Sequence, residues 1–242
     1  QVGTQAFLNE QYAAPASQYP ALKYVPAGQQ ATFCPTDPNP QCGRDYYSLF
    51  LLQNAFFTNA LNNPDQLRQR VAFALSQVLV TSGLTVNAAY GMGRYQQIFL
   101  DNAFGSYEQI LTRVTLSPVM GEYLNMVNND KPTKGINPNE NYARELLQLF
   151  SIGVWKLNQD GTPMLDPTGA PIPAYGQDEI EGFAHVFTGW TYPALPGVPA
   201  RTHNPKNYLG DMVPVDSNHD KGAKVLLNGV TLPAGATIQN DL

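Results

Sequence analysis

Three stretches of the chain carry side chains that can move protons. In VDSNHDKGAKVLLNG, His219 and Asp220 are adjacent in a turn-rich segment, with Asp216 and Lys221 close by. An imidazole beside carboxylates suits general acid or base work near neutral pH; the alternative is an Asx-type turn carrying a surface histidine. In NPNENYARELLQLFSIGV, 100° per residue places Tyr142, Ala143, Leu146, Leu149 and Phe150 on one apolar face with Leu147 at its border. Arg144 falls opposite, one turn after Glu140, as a solvated pair. Glu145 borders the apolar face, one turn from Asn141, and is expected to be part-buried. In QDEIEGFAHVFTGW, Ile180, Phe183, Ala184 and Phe187 share one face, while Asp178, Glu181 and His185 share the other. Glu181 and His185, one turn apart, suit either a shared ion or a solvated face.

A complementary demand comes from NPDQLRQRVAFALSQVLVTSG, where Arg68 projects within an arc of Leu67, Val71, Leu75, Val78 and Leu79. Desolvating an unpaired guanidinium costs several kcal/mol, so Arg68 is expected to find an acid or several carbonyls. Glu145 is the expected partner, as a packing pair or part of a site; no contact is the third outcome. Trp190 leads the aromatics near loops, with Tyr12, Tyr19, Tyr24, Tyr46, Tyr47, Tyr175, Tyr192 and Tyr208. Such rings either stack on sugars or cover a helical core. The three histidines, His185, His203 and His219, form no HExxH pattern, and Asn158, Asp160 and Asp166 lack the EF-hand ligand set. No metal or cofactor is expected. There is no GxSxG, P-loop or GxGxxG either.

The elements that must position these residues are mostly helices. Residues 1–44 read as a short helix near Phe7 to Tyr12 followed by extended chain that wraps a core. Residues 45–153 form the helical core: a helix from Asp45, another with Asn63 as cap, Pro64 at its first position and Gly83 as terminator, then AAYGMGRYQQIFLDNAF, and SYEQILTRVTLS with Ser106 and Gln109 at capping-box spacing. A shorter helix starts at Ser117 and Pro118. Residues 154–176 alternate short apolar pieces with Asp160-Gly161 and Thr168-Gly169, the pattern of hairpin turns. Residues 177–242 hold a last helix and a Pro- and Gly-rich tail with no closing helix. The fold class is therefore mainly α, an irregular helical bundle with a small β-hairpin insertion and long Pro/Gly-rich loops.

With 242 residues, 43% of them hydrophobic, the chain can build a sizeable core. Only 14% are charged, against roughly 25% in an average soluble domain, and the net charge is -5. Lysines and arginines are scattered singly, so nucleic acid and anionic membrane surfaces are not expected partners. No apolar run is long enough to span a membrane. Cys34 and Cys42 bracket a loop stiffened by Pro35, Pro38 and Pro40. They read as a local disulfide, with free thiols as the alternative; the disulfide favours a periplasmic or extracellular setting.

The ordered blocks NPDQLRQRVAFALSQVLV, GEYLNMVNNDKP, NPNENYARELLQLFSIGV, FTGWTY and HDKGAKVLLNG resemble the large bacterial proteins grouped as domain of unknown function 1800. The resemblance implies a bacterial, commonly exported, mainly helical protein, and a chain that continues into a further C-terminal helical part. The blocks cover Arg68, Asn141, Arg144, Glu145, Gly189, Trp190, His219 and Asp220. Two functions are expected from the whole reading. One is an exported enzyme acting on an extracellular polymer such as polysaccharide, with Glu145, His219 and Asp220 as catalytic candidates and Arg68, Asn141, Arg144 and Trp190 as binding candidates. The other is a non-catalytic binding or assembly module, with carbohydrate or another exported protein as partner.

Overall fold

The computed structural model describes residues 3–22, 24, 34 and 40–242. Pro35, Pro38 and the Tyr46 side chain lie outside the described residues. Two units emerge: Gln1–Tyr123 with Lys206–Asp211, and Leu124–Pro205 with Met212–Leu242.

The first unit holds α1 (Thr4–Ala13), α2 (Cys42–Tyr47), α3 (Phe50–Asn62), α4 (Gln66–Val78), α5 (Ala89–Asp101), α6 (Tyr107–Leu116) and α7 (Pro118–Tyr123). Leu79, Val86, Tyr95, Phe99, Leu100, Val114 and Met120 fill its core. The polar N-terminal segment is fastened by side chains. Buried Asp65 accepts the Ser17 amide at 2.8 Å and its hydroxyl at 2.6 Å. The Gln11 side chain accepts the Leu67 amide at 2.8 Å and donates to the Pro64 carbonyl at 3.0 Å. Gln11 thus satisfies an open amide of the first turn of α4, which begins at Gln66 rather than Pro64. The helix also stops earlier than Gly83: Leu79 leaves it, and its carbonyl accepts the Tyr95 hydroxyl at 2.6 Å. The cap expected at Ser106 is present, accepting the Gln109 amide at 3.1 Å.

The second unit holds α8 (Asn141–Gln148), α9 (Gln177–Val186), the antiparallel pair β1 (Trp190–Thr191) and β2 (Val213–Pro214), the pair β3 (Lys224–Val225) and β4 (Thr231–Leu232), and α10 (Ile238–Asp241). The tail therefore does close on a helical turn, contrary to expectation: the Thr237 hydroxyl caps it through the Asn240 amide. In α8 the core residues are Tyr142, Ala143 and Leu147, followed by Phe150, while Leu149 is 54% exposed. The helix ends at Gln148, so the periodicity that put Leu149 on the apolar face no longer applies. The insertion has the expected turns and a third extended run. The Lys156 amide donates to Ile172, Ile172 to Met164 and Met164 to Lys156, closing a three-way ring.

Candidate functional site

α9 sets Asp178, Glu181 and His185 along one side, and the sequence suggests that this side meets water. Instead the chain from Asp220 to Val225 crosses it. Gly182 permits the crossing, since a Cβ there would lie 1.9 Å from the Val225 carbonyl oxygen. The crossing brings the Asp220 carboxylate to His185, bonding Oδ2 to Nδ1. With a carboxylate as acceptor, Nδ1 carries the hydrogen and Nε2 is the basic nitrogen. Nε2 has no hydrogen-bond partner among the described residues. The pair borders a cleft of about 340 Å³ lined by Asp178, Glu181, Gly182, His185, Asp220, Ala223, Lys224 and Val225. The His185 and Asp220 side chains remain 29% and 20% exposed.

Asp220 is held from several sides. Its Oδ1 accepts the Gly222 amide at 2.7 Å, and its own amide donates to the Thr188 hydroxyl at 2.9 Å. That hydroxyl donates onward to the His185 carbonyl at 2.7 Å, so Thr188 ties together both halves of the dyad. Burial works against the charged carboxylate, but the Gly222 amide, His185 and the Lys224 ammonium together hold the Asp220 carboxyl below the usual carboxylate range.

Beneath the cleft lies a closed polar cluster. The His219 side chain has no exposure; its Nε2 meets Asp241 Oδ2 at 2.9 Å and its Nδ1 meets the Thr188 carbonyl at 2.9 Å. Lys224 Nζ donates to Asp241 Oδ2 at 2.7 Å, to the Asp220 carbonyl at 2.7 Å and to the Gly222 carbonyl at 3.0 Å. Gly189 makes room for this loop: its φ is +87°, and any side chain there would bring a Cβ within 2.9 Å of the His219 amide nitrogen.

Of the sequence candidates, Asp220 reaches the open cleft, and His219, its neighbour, is enclosed rather than presented to a ligand. Glu145 lies on α8 with Oε2 buried and without a hydrogen-bond partner among the described residues. Arg144 pairs with Glu140 at 2.8 Å as expected and also reaches Gln177. Gln177 in turn donates to Glu140 and Glu181, linking α8 to α9. Asn141 donates to the Asn125 side chain at 3.2 Å, a loop contact. Trp190 is only 3% exposed, so it is core rather than a stacking surface, and Tyr192 and Tyr208 are buried too. Arg68 uses the Leu100 carbonyl at 2.8 Å, the Phe104 ring at 4.7 Å and Asp65 at 4.0 Å in place of the expected Glu145 carboxylate. Cys34 and Cys42 form the disulfide, with Cα atoms 5.7 Å apart. Among the described residues, no three His, Cys, Asp or Glu side chains gather as a metal site.

His185, Thr188, Lys224 and Asp241 are the residues that sequence reasoning did not assign. The one-turn spacing of Glu181 and His185 around a mid-helix glycine was the available signal.

The asparagines of the polar loop tie other segments of this unit together. Asn129 exchanges hydrogen bonds with the Asn139 backbone at 2.8 and 3.1 Å, and its carbonyl accepts the Gly189 amide at 2.8 Å. The Asn128 amide donates to the Trp190 carbonyl and Lys131 to Asn218, both at 2.7 Å. The blocks around residues 125–131, 139–148, 187–192 and 218–225 thus meet in one unit, next to the cleft. A family model described as "Protein of unknown function (DUF1800)" matches residues 1–241. No curated protein and no solved structure matches the chain.

Proposed function

The chain belongs to the DUF1800 family, and from that premise we propose that it is an enzyme in which His185, oriented by Asp220, transfers a proton on a substrate held beside α9. The observation that carries this reading is the dyad at the rim of an open cleft, with Nε2 unshared. Neutral His185 accepts a proton at Nε2, and the Asp220 carboxylate stabilises the imidazolium that forms. No Ser, Thr or Cys is among the residues lining the cleft, so the proton comes from water or from a hydroxyl of the substrate. Asp178 and Glu181 supply acceptors for hydroxyl groups. An extracellular polymer such as polysaccharide suits this lining, and the Cys34–Cys42 disulfide supports the periplasmic or extracellular setting that such a substrate requires.

The second reading, a non-catalytic binding or assembly module for carbohydrate or another exported protein, is favoured by the enclosed His219, Asp241 and Lys224 cluster. The two readings separate in a screen of the protein on polysaccharide and peptide panels with His185→Ala, Asp220→Asn and Glu145→Gln. The enzyme reading expects turnover that falls about 100-fold or more in His185→Ala, in line with a general base, with folding retained. Unchanged turnover in that variant overturns the assignment; turnover lost only in folded Glu145→Gln moves the chemistry to α8. No turnover on any substrate favours the assembly module.

A further inference from the structure

The enclosed cluster contains more than an ion pair. Lys224 Nζ and Asp241 Oδ2 are 2.7 Å apart with both side chains 1% exposed, and His219 Nε2 reaches the same oxygen at 2.9 Å. The Asp220 and Gly222 carbonyls accept two of the three ammonium hydrogens. Removing the third proton therefore leaves an amine whose lone pair is directed toward the Asp241 carboxyl group. Lys224 Nζ and His219 Nε2 thus both stand within hydrogen-bond reach of one oxygen of the Asp241 carboxyl group, in a place closed to solvent.

We propose that Lys224 and Asp241 are the site of a self-forming covalent cross-link, an amide joining Lys224 Nζ to Asp241 Cγ. The Lys224 ammonium first passes a proton across the contact to Asp241 Oδ2. The amine Nζ then attacks Cγ, forming the N–C bond and a tetrahedral centre. His219 Nε2 relays a second proton from nitrogen to Oδ2, the Cγ–Oδ2 bond breaks, and one water leaves. An ammonium and a carboxylate become an amide and water, with no oxidant, reductant or activated co-reactant required. In free solution this condensation is held back by the rarity of productive encounters and by the surrounding water. Here the encounter is permanent, which for well-oriented intramolecular groups corresponds to effective concentrations of about 10⁵ M or more, and the burial that excludes water also opposes hydrolysis.

The link ties β3 to α10. The enzymatic reading does not rest on the link, because no side chain of the dyad takes part; the link removes the Lys224 charge from beside Asp220 and leaves the Gly222 amide and His185 to hold that carboxylate. The test is the intact mass of the purified protein after thiol reduction, followed by fragmentation of its proteolytic peptides. The expected result is a mass one water below that of the sequence, with the deficit on a branched peptide joining Lys224 to Asp241. Lys224→Met and Asp241→Ala should each restore the missing water. His219→Gln should restore it while leaving the circular dichroism unchanged. A full-mass wild-type protein overturns the proposal. So does a deficit that maps to Asp160-Gly161, where cyclisation onto the next amide also loses water, or one that survives in Lys224→Met.

Discussion

At the residue scale, two imidazole–carboxylate pairs meet at one loop, which supplies His219 to one and Asp220 to the other, and they differ in what surrounds them. His219 and Asp241 are enclosed with a lysine, whereas His185 and Asp220 open onto a cleft, although His219 and Asp220 are neighbours in sequence. The backbone alternates their directions, so a motif that places two candidates side by side sends one inward and one outward. Asp220 also gives this unit an acid sensitivity. Its folded carboxyl lies below the usual range because the Gly222 amide, His185 and Lys224 outweigh burial. A depressed carboxyl contributes stability that is present above the unfolded value of about 4 and is lost as pH falls through the lower folded value. Urea unfolding of wild type and Asp220→Asn should therefore show a stability gap that is widest near neutral pH and closes on acidification below about pH 4. A gap that stays constant from neutral to acidic pH would contradict this origin.

At the element scale, the site exists because β3 lies against α9 at Gly182. A methyl group there meets a backbone carbonyl, which cannot rotate aside as a side chain would, so Gly182→Ala must push β3 away and carry Asp220 off His185. The expected cost is about 1–3 kcal/mol, typical of forced overpacking, measured by chemical denaturation. Gly43, in α2 with no neighbour at its Cβ position among the described residues, is the control: Gly43→Ala should be stabilising by about 0.5–1 kcal/mol. The same element shows what sequence does and does not reveal. Local signals survive folding: the Ser106 cap, the turns at Asp160-Gly161 and Thr168-Gly169, and the Glu140–Arg144 pair are all present. Signals that depend on distant chain do not. The start of α4 is set by Gln11, over fifty residues upstream, and the polar side of α9 is covered by a strand some forty residues downstream. His185 reads as solvated from the helical wheel because no periodicity encodes the loop that lands on it. Arg68 has the kind of partners expected of a part-buried guanidinium, yet carbonyl and ring contacts nearby in its own unit replace the distant acid.

At the scale of the whole molecule, the sequence has few charges to spend on stability and two cysteines, both used in one bond. Among the described residues, no helix is long and apolar enough to cross a membrane. The Cys34–Cys42 link closes a short loop, with a sequence separation of 8. A loop of that size restricts the unfolded chain by roughly 2–3 kcal/mol on the chain-entropy account. Reduction should thus lower the urea midpoint by a corresponding amount, and thiol titration of the denatured protein should find no free thiols before reduction and two after. Free thiols in protein purified from an oxidising compartment would contradict the bond. The two covalent features can also be told apart in one molecule. Reduction adds back the two hydrogens of the disulfide and cannot touch an amide, so the missing water of the Lys224–Asp241 link should persist unchanged. The disulfide constrains the unit built around α4 and α5, and the amide constrains the unit that holds the cleft. Reduced protein should therefore lose stability while keeping the His185–Asp220 geometry, which turnover before and after reduction measures directly.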